Sequence, residues 1–140
     1  MGTVSITRVK CDLAESLRKS ISLVGGLNLS KVPVLLKPNI CTEADASGGA
    51  NTSIHVTRAV IEEILRYETR AEVKIIESDS FAKRIERAFE NLGYYQLEDE
   101  YHARNYEVSL VNLSKEPTAT LHLNGLYFKE IELPRILLEP

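Results

Sequence analysis

The sequence predicts an α/β fold, a three-layer arrangement around a mostly parallel sheet with a C-terminal antiparallel hairpin. Two observations support this prediction. Short segments rich in β-branched residues alternate with segments whose apolar residues recur at helical spacing. This order is typical of βαβ units, whose strands lie parallel. Near the C-terminus, Asn124-Gly125 separates two further strand-like segments and favours a two-residue type I′ turn.

The first two predicted elements are a strand and a helix. Residues 3–9 alternate in side-chain type and are rich in β-branched residues, which predicts a strand. Asp12 then offers a side-chain oxygen to the free N–H groups of a helix start. Gly25-Gly26 supplies the left-handed conformation that ends the helix. The helix carries one apolar stripe, formed by Leu13, Leu17, Ile21 and Val24.

A second strand, a long loop and a second helix follow. Residues 32–36 predict a short apolar strand that stops at Pro38, because proline cannot donate to a strand ladder. Residues 40–51 are polar and without periodicity, and a loop of this length in a small domain is more often functional than a plain connector. Thr52 or Ser53 can cap the next helix. We expect its buried stripe to be Val56, Val60, Ile64 and Tyr67, with Glu62, Glu63 and Arg66 facing outward.

The second half of the chain repeats this pattern and then changes. Residues 72–77 predict a strand buried on both faces. Ser78-Asp79-Ser80 is placed to cap a helix that Gly93 closes. We expect that helix to bury Phe81, Ile85, Phe89 and Leu92, and a short helix after it to bury Tyr94, Leu97 and Tyr101. Residues 108–111 predict a strand, and residues 118–123 and 126–133 predict the two strands of the hairpin.

Length and composition suit one globular domain, which we expect to span residues 1–140. The net charge of −3 and the 44% of hydrophobic residues are ordinary for such a domain. The acidic balance disfavours nucleic-acid binding, and no apolar segment approaches the roughly 20 residues that cross a bilayer. We expect Cys11 and Cys41 to be free thiols in a reducing cytoplasm.

Candidate ligand-binding residues follow two of the predicted strands. Lys37-Pro38-Asn39 comes after one strand, and Glu77-Ser78-Asp79-Ser80 ends the next. In open α/β sheets, ligands bind beyond the carboxyl ends of parallel strands, where helix starts favour anions. The sequence therefore predicts a site for a small anionic molecule. Its residues are Lys37, Asn39, Thr52, Glu77, Ser78, Asp79 and Ser80.

The residue types suggest a role for each group. Lys37 stabilises negative charge, Ser78 and Ser80 donate hydrogen bonds, and Glu77 or Asp79 serves as a base or a metal ligand. The alternative interpretation is structural: a lysine that reaches water, and turn or cap residues that satisfy backbone groups. No metal site is predicted, because the three histidines show no short-range pairing.

Several motifs resemble the domain of unknown function 362 family. The strand ending in Lys37-Pro38-Asn39 carries the resemblance first, and Thr52-Ser53 with the helix at 57–61 continues it. The strand that runs into Glu77-Ser78 agrees as well, as do the segments 88–94 and 108–113. The resemblance covers most of the chain.

The resemblance implies a cofactor context and a longer protein. Several members are joined to ferredoxin-like iron–sulfur segments, but this sequence has no cysteine cluster, so we expect no iron–sulfur cluster in this chain itself. The family pattern continues into a further core strand with a lysine motif. That continuation and the apolar Ile136-Leu137-Leu138 lead us to expect the N-terminal portion of a longer protein.

Two classes of function stay open at this point. The first is an α/β domain of a cytoplasmic enzyme that binds a small anion, with its cofactor and reaction unknown. The second is a binding or assembly module without chemistry, or an accessory domain of an iron–sulfur redox protein. The second class is motivated by the hairpin and tail at 118–138, which can join a second copy or a further domain.

Overall fold

Three parallel strands form the central sheet of the protein. The computed structural model describes residues 2–9, 12–29, 33–79 and 84–138. The strands are β1 (Val34–Leu36), β2 (Val73–Glu77) and β3 (Val108–Asn112), and β2 lies in the middle. Leu36 pairs with Ile75, so all three strands end at one edge of the sheet. The predicted α/β fold is confirmed.

Four α-helices lie in the described residues, the first before β1 and the other three between the strands of the sheet. They are α1 (Leu13–Leu23), α2 (Ile54–Tyr67), α3 (Ile85–Asn91) and α4 (Tyr94–Ala103). The predicted cap of α1 is confirmed, because the Asp12 carboxylate accepts a hydrogen bond from the N–H of Ala14 at 2.8 Å. Gly93 closes α3 as expected, and its positive φ of 80° lets the chain turn directly into α4.

The hydrophobic core lies between the sheet and α2, α3 and α4. Val73, Ile75 and Val108 alternate toward this side and are fully buried. The helices contribute a second set of buried side chains, which includes Ile61, Ile64, Leu65, Ile85, Phe89, Tyr94, Leu97 and Tyr101.

A cluster of polar and aromatic side chains fastens α4 to α2. The Glu62 carboxylate accepts hydrogen bonds from Arg104 Nη1 at 2.5 Å and from the Tyr101 hydroxyl at 3.0 Å. The Arg104 guanidinium lies 5.1 Å from the ring centres of both Tyr101 and Tyr106. The pKa of Glu62 is lowered, chiefly by the Arg104 hydrogen bond and further by Tyr101, against an opposing effect of burial.

The predicted strand at 3–9 is wrong. The described residues 2–9 form no strand, and Val4 and Ile6 are exposed. This segment runs beside α1, where the Ser5 hydroxyl donates to the Ser20 carbonyl and the Ser20 hydroxyl donates to Thr7, both at 2.8 Å. β-Branched residues favour a strand where a neighbouring strand and a buried face are available, and this segment has neither.

The predicted buried stripe of α2 is wrong, because the buried face is rotated slightly about the helix axis from the predicted one. Val56 and Tyr67 are exposed, whereas Thr57, Ile61 and Leu65 are buried with Ile64. A polar residue belongs to the core here, because the Thr57 hydroxyl lies 3.2 Å from the Tyr94 hydroxyl and both are satisfied.

Glu63 was expected to face outward, but its side chain is buried. Its two carboxylate oxygens accept hydrogen bonds from the Arg66 guanidinium at 2.7 and 3.1 Å. A paired carboxylate of this kind tolerates burial, which the apolar pattern of the sequence does not reveal.

The helix expected directly after Ser78-Asp79-Ser80 begins later, at Ile85. Asp79 still contributes to its start, because the carboxylate accepts a hydrogen bond from the Ile85 N–H at 3.0 Å. Ser80 and Phe81 lie outside the described residues.

A hairpin of β4 (Thr118–His122) and β5 (Glu130–Pro134) forms a separate antiparallel sheet. The strand pair was predicted, but the two-residue type I′ turn is wrong. The Leu123 N–H bonds to the Lys129 carbonyl at 2.7 Å and closes a loop over residues 124–128. Gly125 does not adopt the positive φ of that turn; a Cβ there would lie 2.6 Å from the Phe128 carbonyl oxygen.

One buried and one exposed isoleucine allow a matched comparison of how much the parallel sheet and the hairpin contribute to the free energy of unfolding. Ile75→Ala empties a fully buried position in β2 and should lower the free energy of unfolding by about 2–5 kcal/mol. Ile131→Ala removes the same atoms from an exposed position in β5 and should cost less than about 1 kcal/mol. Urea unfolding measures both; equal losses would contradict a core centred on β2.

The lowered pKa of Glu62 predicts a stability contribution that depends on pH. A carboxyl whose folded-state pKa lies below its unfolded value of 4.5 stabilises the fold above that value. The contribution is lost as the pH falls through the folded-state pKa. The stability difference between the wild type and Glu62→Gln should therefore shrink as the pH falls below 4.5 in urea unfolding. A constant difference would show that charge at Glu62 contributes nothing.

Candidate functional site

The two predicted corners of the site meet at the carboxyl edge of the sheet. Lys37 follows β1, and Glu77 is the last residue of β2. The Lys37 Nζ atom donates to Glu77 Oε2 at 2.7 Å, and the two residues are 40 positions apart in the chain. The structure therefore brings Lys37 and Glu77 together on one rim, as their places at adjacent strand ends predict.

Glu77 is held by donors from both neighbouring loops. Its Oε2 atom also accepts from the Ile40 N–H at 3.3 Å, and its Oε1 atom accepts from the Ser78 N–H at 2.9 Å. The Glu77 side chain is 6% exposed, whereas that of Lys37 is 51% exposed. Three internal donors thus satisfy a buried carboxylate, and the loops that start at Lys37 and Ser78 are tied to each other through it.

Tyr94 connects this edge to the core. Its side chain is fully buried, and its hydroxyl pairs with that of Thr57 at 3.2 Å. Burial raises the pKa of Tyr94 above its ordinary value; the Thr57 hydrogen bond opposes this, and the nearby Glu77 charge raises the pKa further. The Tyr94 hydroxyl is therefore neutral at physiological pH.

Asn39 and Thr52 close the long loop between β1 and α2. The Asn39 N–H donates to the Thr52 hydroxyl at 2.9 Å, and the Thr52 N–H donates back to the Asn39 carbonyl at 2.8 Å. The Asn39 amide also donates to the Ala50 carbonyl at 2.9 Å and to Cys41 Sγ at 3.2 Å. Asn39 and Thr52 thus lie in the loop that follows Lys37, and the polar atoms named here form hydrogen bonds within that loop.

Asn51 organises the same loop and was not predicted. Its buried side chain accepts hydrogen bonds from the Cys41 and Thr42 N–H groups at 2.8 and 3.0 Å. Its amide nitrogen donates to the carbonyls of Thr42 and Ala44. An asparagine in a polar loop is unremarkable as sequence, so no signal in the sequence singled this residue out.

Two of the remaining predicted residues, Ser78 and Asp79, directly follow Glu77 in the chain. Asp79 receives a hydrogen bond at Oδ1 from Ile85 and donates its own N–H to the Ser114 hydroxyl at 2.8 Å. Ser78 is exposed beside Glu77, and Ser80 lies outside the described residues. Asn112, the last residue of β3, pairs with Glu77 across the sheet. The position at a strand end that predicts Glu77 as a site residue is shared by Asn112, so the sequence does carry a signal for it.

A cavity of about 210 Å³ opens next to this rim. It lies between the first part of the long loop and the start of α3. Its lining consists of Ile40, Cys41, Thr42, Glu43, Ser78, Arg84, Ile85 and Ala88. Ile40 and Ser78 are also the two residues whose backbone N–H groups hold Glu77, so the cavity and the rim share their walls.

Arg84 and Glu43 face each other at this cavity. Arg84 Nε lies 3.4 Å from Glu43 Oε1, and the Arg84 side chain is largely exposed. That Glu43 oxygen is buried and accepts no hydrogen bond from the described residues. The pair is therefore a loose ion pair in which one carboxylate oxygen of Glu43 is buried without a good hydrogen bond.

The sequence did not identify Arg84 and Glu43 as site residues. They are far apart in the chain, and each lies in a segment without a recognisable motif. Across residues 2–9, 12–29, 33–79 and 84–138, no group of three or more His, Cys, Asp or Glu side chains is positioned to hold a metal ion. The helices in these ranges are also too short or too polar to cross a membrane.

Comparison with known proteins identifies the family. The model of the family described as Domain of unknown function (DUF362) matches residues 34–140. The chain belongs to this family. The resemblance noted from the Lys-Pro-Asn strand is therefore confirmed, and the domain of unknown function 362 match begins at the first residue of β1 and includes the whole rim. Searches of curated proteins and of solved structures found no match.

Removing the Glu77 carboxylate should destabilise this domain of unknown function 362 protein. Glu77→Ala leaves the Ile40 and Ser78 N–H groups without their acceptor and should lower the free energy of unfolding by about 2–4 kcal/mol. Glu72→Ala is the matched control, because Glu72 lies just before β2, pairs at 3.0 Å with Lys74 and is far more exposed than Glu77. It should cost less than about 1 kcal/mol in urea unfolding. If Glu77→Ala also cost less than about 1 kcal/mol, water would be replacing the carboxylate as the acceptor for the two N–H groups without a loss of stability.

Proposed function

We propose that this domain binds a small anionic ligand in the cavity beside the Lys37–Glu77 pair. The observation that supports the proposal is the exposed Arg84 guanidinium on the wall of a cavity at the carboxyl edge of a parallel sheet. Ligands of open α/β sheets bind at this edge. The cavity's volume of about 210 Å³ suits a phosphate or a short carboxylate rather than a nucleotide.

The cavity wall carries one positive and one negative side chain, and the positive one, Arg84, is the more exposed of the two. The planar Arg84 guanidinium can bind a carboxylate or phosphate through two parallel hydrogen bonds. Its present partner, Glu43, is held by one contact of 3.4 Å, so a ligand with better geometry can replace it. The exposed Ser78 hydroxyl lines the same cavity and supplies a further donor.

Lys37 adds positive charge at the rim. One of its three ammonium donors bonds to Glu77, and the half-exposed side chain leaves the others directed to solvent or to a ligand. In the proposal Lys37 attracts the anion, and Arg84 and Ser78 bind it. Asn39 and Thr52 have a positioning role, since they close the loop that carries the cavity wall.

The proposal concerns binding and names no reaction. Three internal hydrogen bonds occupy Glu77, which favours a positioning role for it over that of a base. The assignment of Asp79 as a base or metal ligand stays a prediction from the sequence. We place this function in the cytoplasm, where the exposed free thiol of Cys41 stays reduced.

Calorimetric titration with inorganic phosphate and with succinate tests the proposal. Arg84→Ala should weaken binding at least about tenfold, because charge-assisted hydrogen bonds contribute about 1.5–3 kcal/mol. Glu43→Gln should strengthen binding several-fold, because it removes the carboxylate that competes for Arg84. Arg87→Ala is the matched control, since Arg87 is exposed on α3 and does not line the cavity.

Two results would contradict the proposal. One is an equal effect of Arg84→Ala and Arg87→Ala, which would indicate general charge attraction instead of a site. The other is the absence of measurable binding of both anions to the wild type and to Glu43→Gln. Circular dichroism of each variant establishes that the fold is retained.

An assembly module is the second candidate function, and the hairpin favours it. Leu126, Tyr127 and Phe128 are each at least 75% exposed at its tip, which is unusual for large apolar side chains that lie together. The third hypothesis, an accessory domain of an iron–sulfur protein, stays a prediction from the family resemblance.

A further inference from the structure

The hairpin is a sheet of two strands that packs chiefly on itself. An isolated pair of strands is marginally stable in water, and independent stability needs three or more strands or a covering helix. Within the described residues, neither β4 nor β5 pairs with a third strand. Both outer edges of the hairpin therefore remain available.

The hydrogen bonds at the two ends of the hairpin show which backbone groups face outward. Arg135 donates its N–H to the Pro117 carbonyl, and Leu123 donates to Lys129. Antiparallel ladders alternate between bonded and non-bonded pairs, so every second residue of β4 bonds to β5. The N–H and C=O groups of Thr118, Thr120 and His122 consequently point away from β5. Among the described residues, none outside the hairpin forms a backbone hydrogen bond with the N–H or C=O group of Thr120 or His122.

The two edges differ in charge and in donors. The outward positions of β5 are Glu130, Glu132 and Pro134, which combine two like charges with a residue that lacks an N–H. Charged residues and proline are the features that protect sheet edges from pairing. The outward positions of β4 carry no carboxylate and no proline. The β5 edge is thus protected, whereas the β4 edge is open.

We propose that the β4 edge pairs with β4 of a second copy of this chain, a role beyond anion binding and independent of it. An antiparallel pairing centred on Thr120 places Thr120 opposite Thr120 of the second copy and Thr118 opposite His122. Threonine pairs are favourable across strands, and no like charges meet. The equivalent antiparallel pairing of two β5 strands would place Glu132 opposite Glu132 of the second copy. Charge therefore selects β4, and the product is a four-stranded antiparallel sheet.

Sedimentation equilibrium of the full chain at about 0.1 mM tests the proposal, since association follows protein concentration. The wild type should be a dimer. Thr120→Pro removes the outward N–H at the centre of the new ladder and should weaken association at least about tenfold. Glu132→Pro is the matched control, because it makes the same change at the paired position on the β5 edge. It should leave the dimer unchanged.

Charge exchange at one position tests the two-fold arrangement. Thr120→Lys and Thr120→Glu each place like charges opposite each other and should weaken the dimer, whereas an equimolar mixture should restore it. A monomeric wild type overturns the proposal and leaves the β4 edge to a strand of another protein. A dimer that persists in Thr120→Pro, or a mixture that stays monomeric, overturns it as well. Circular dichroism excludes unfolding as the cause of dissociation.

Discussion

The buried carboxylate of Glu77 constrains the carboxyl edge of this domain. A buried charge is costly unless a counter-charge and hydrogen-bond donors surround it. Glu77 obtains both from the loops that leave β1 and β2, through Lys37, the Ile40 N–H and the Ser78 N–H. The two loops must therefore begin close together. Because the same loops form two walls of the cavity, the position of the candidate ligand site follows from satisfying one carboxylate.

Local sequence patterns predicted the central architecture well. The apolar strands at 32–36, 72–77 and 108–111 and the Asp12 cap all depend on neighbouring residues, and each has its expected counterpart in the structure. The meeting of Lys37 and Glu77 was also predictable, since it follows from parallel strands that end at one edge.

Contacts between distant residues account for what the sequence did not reveal. Arg84 meets Glu43 through the folded arrangement of two loops, and Asn51 gains its role from the path of its own loop. The α2 prediction failed because Thr57 enters the core by pairing with Tyr94. A scale that counts apolar side chains assigns such a threonine to the surface. The prediction of a strand at 3–9 failed because a strand needs a neighbouring strand to pair with, and a local sequence pattern does not show whether one is available.

The buried position of Tyr94 gives the domain an internal optical probe. The chain contains six tyrosines and no tryptophan, so its near-ultraviolet emission comes from phenol rings alone. Tyr94 lies within the electrostatic influence of Glu77 and hydrogen-bonds to Thr57, in contrast to the highly exposed Tyr127. A rearrangement at the strand ends would change the surroundings of this ring, so tyrosine fluorescence can detect such a rearrangement without an attached dye.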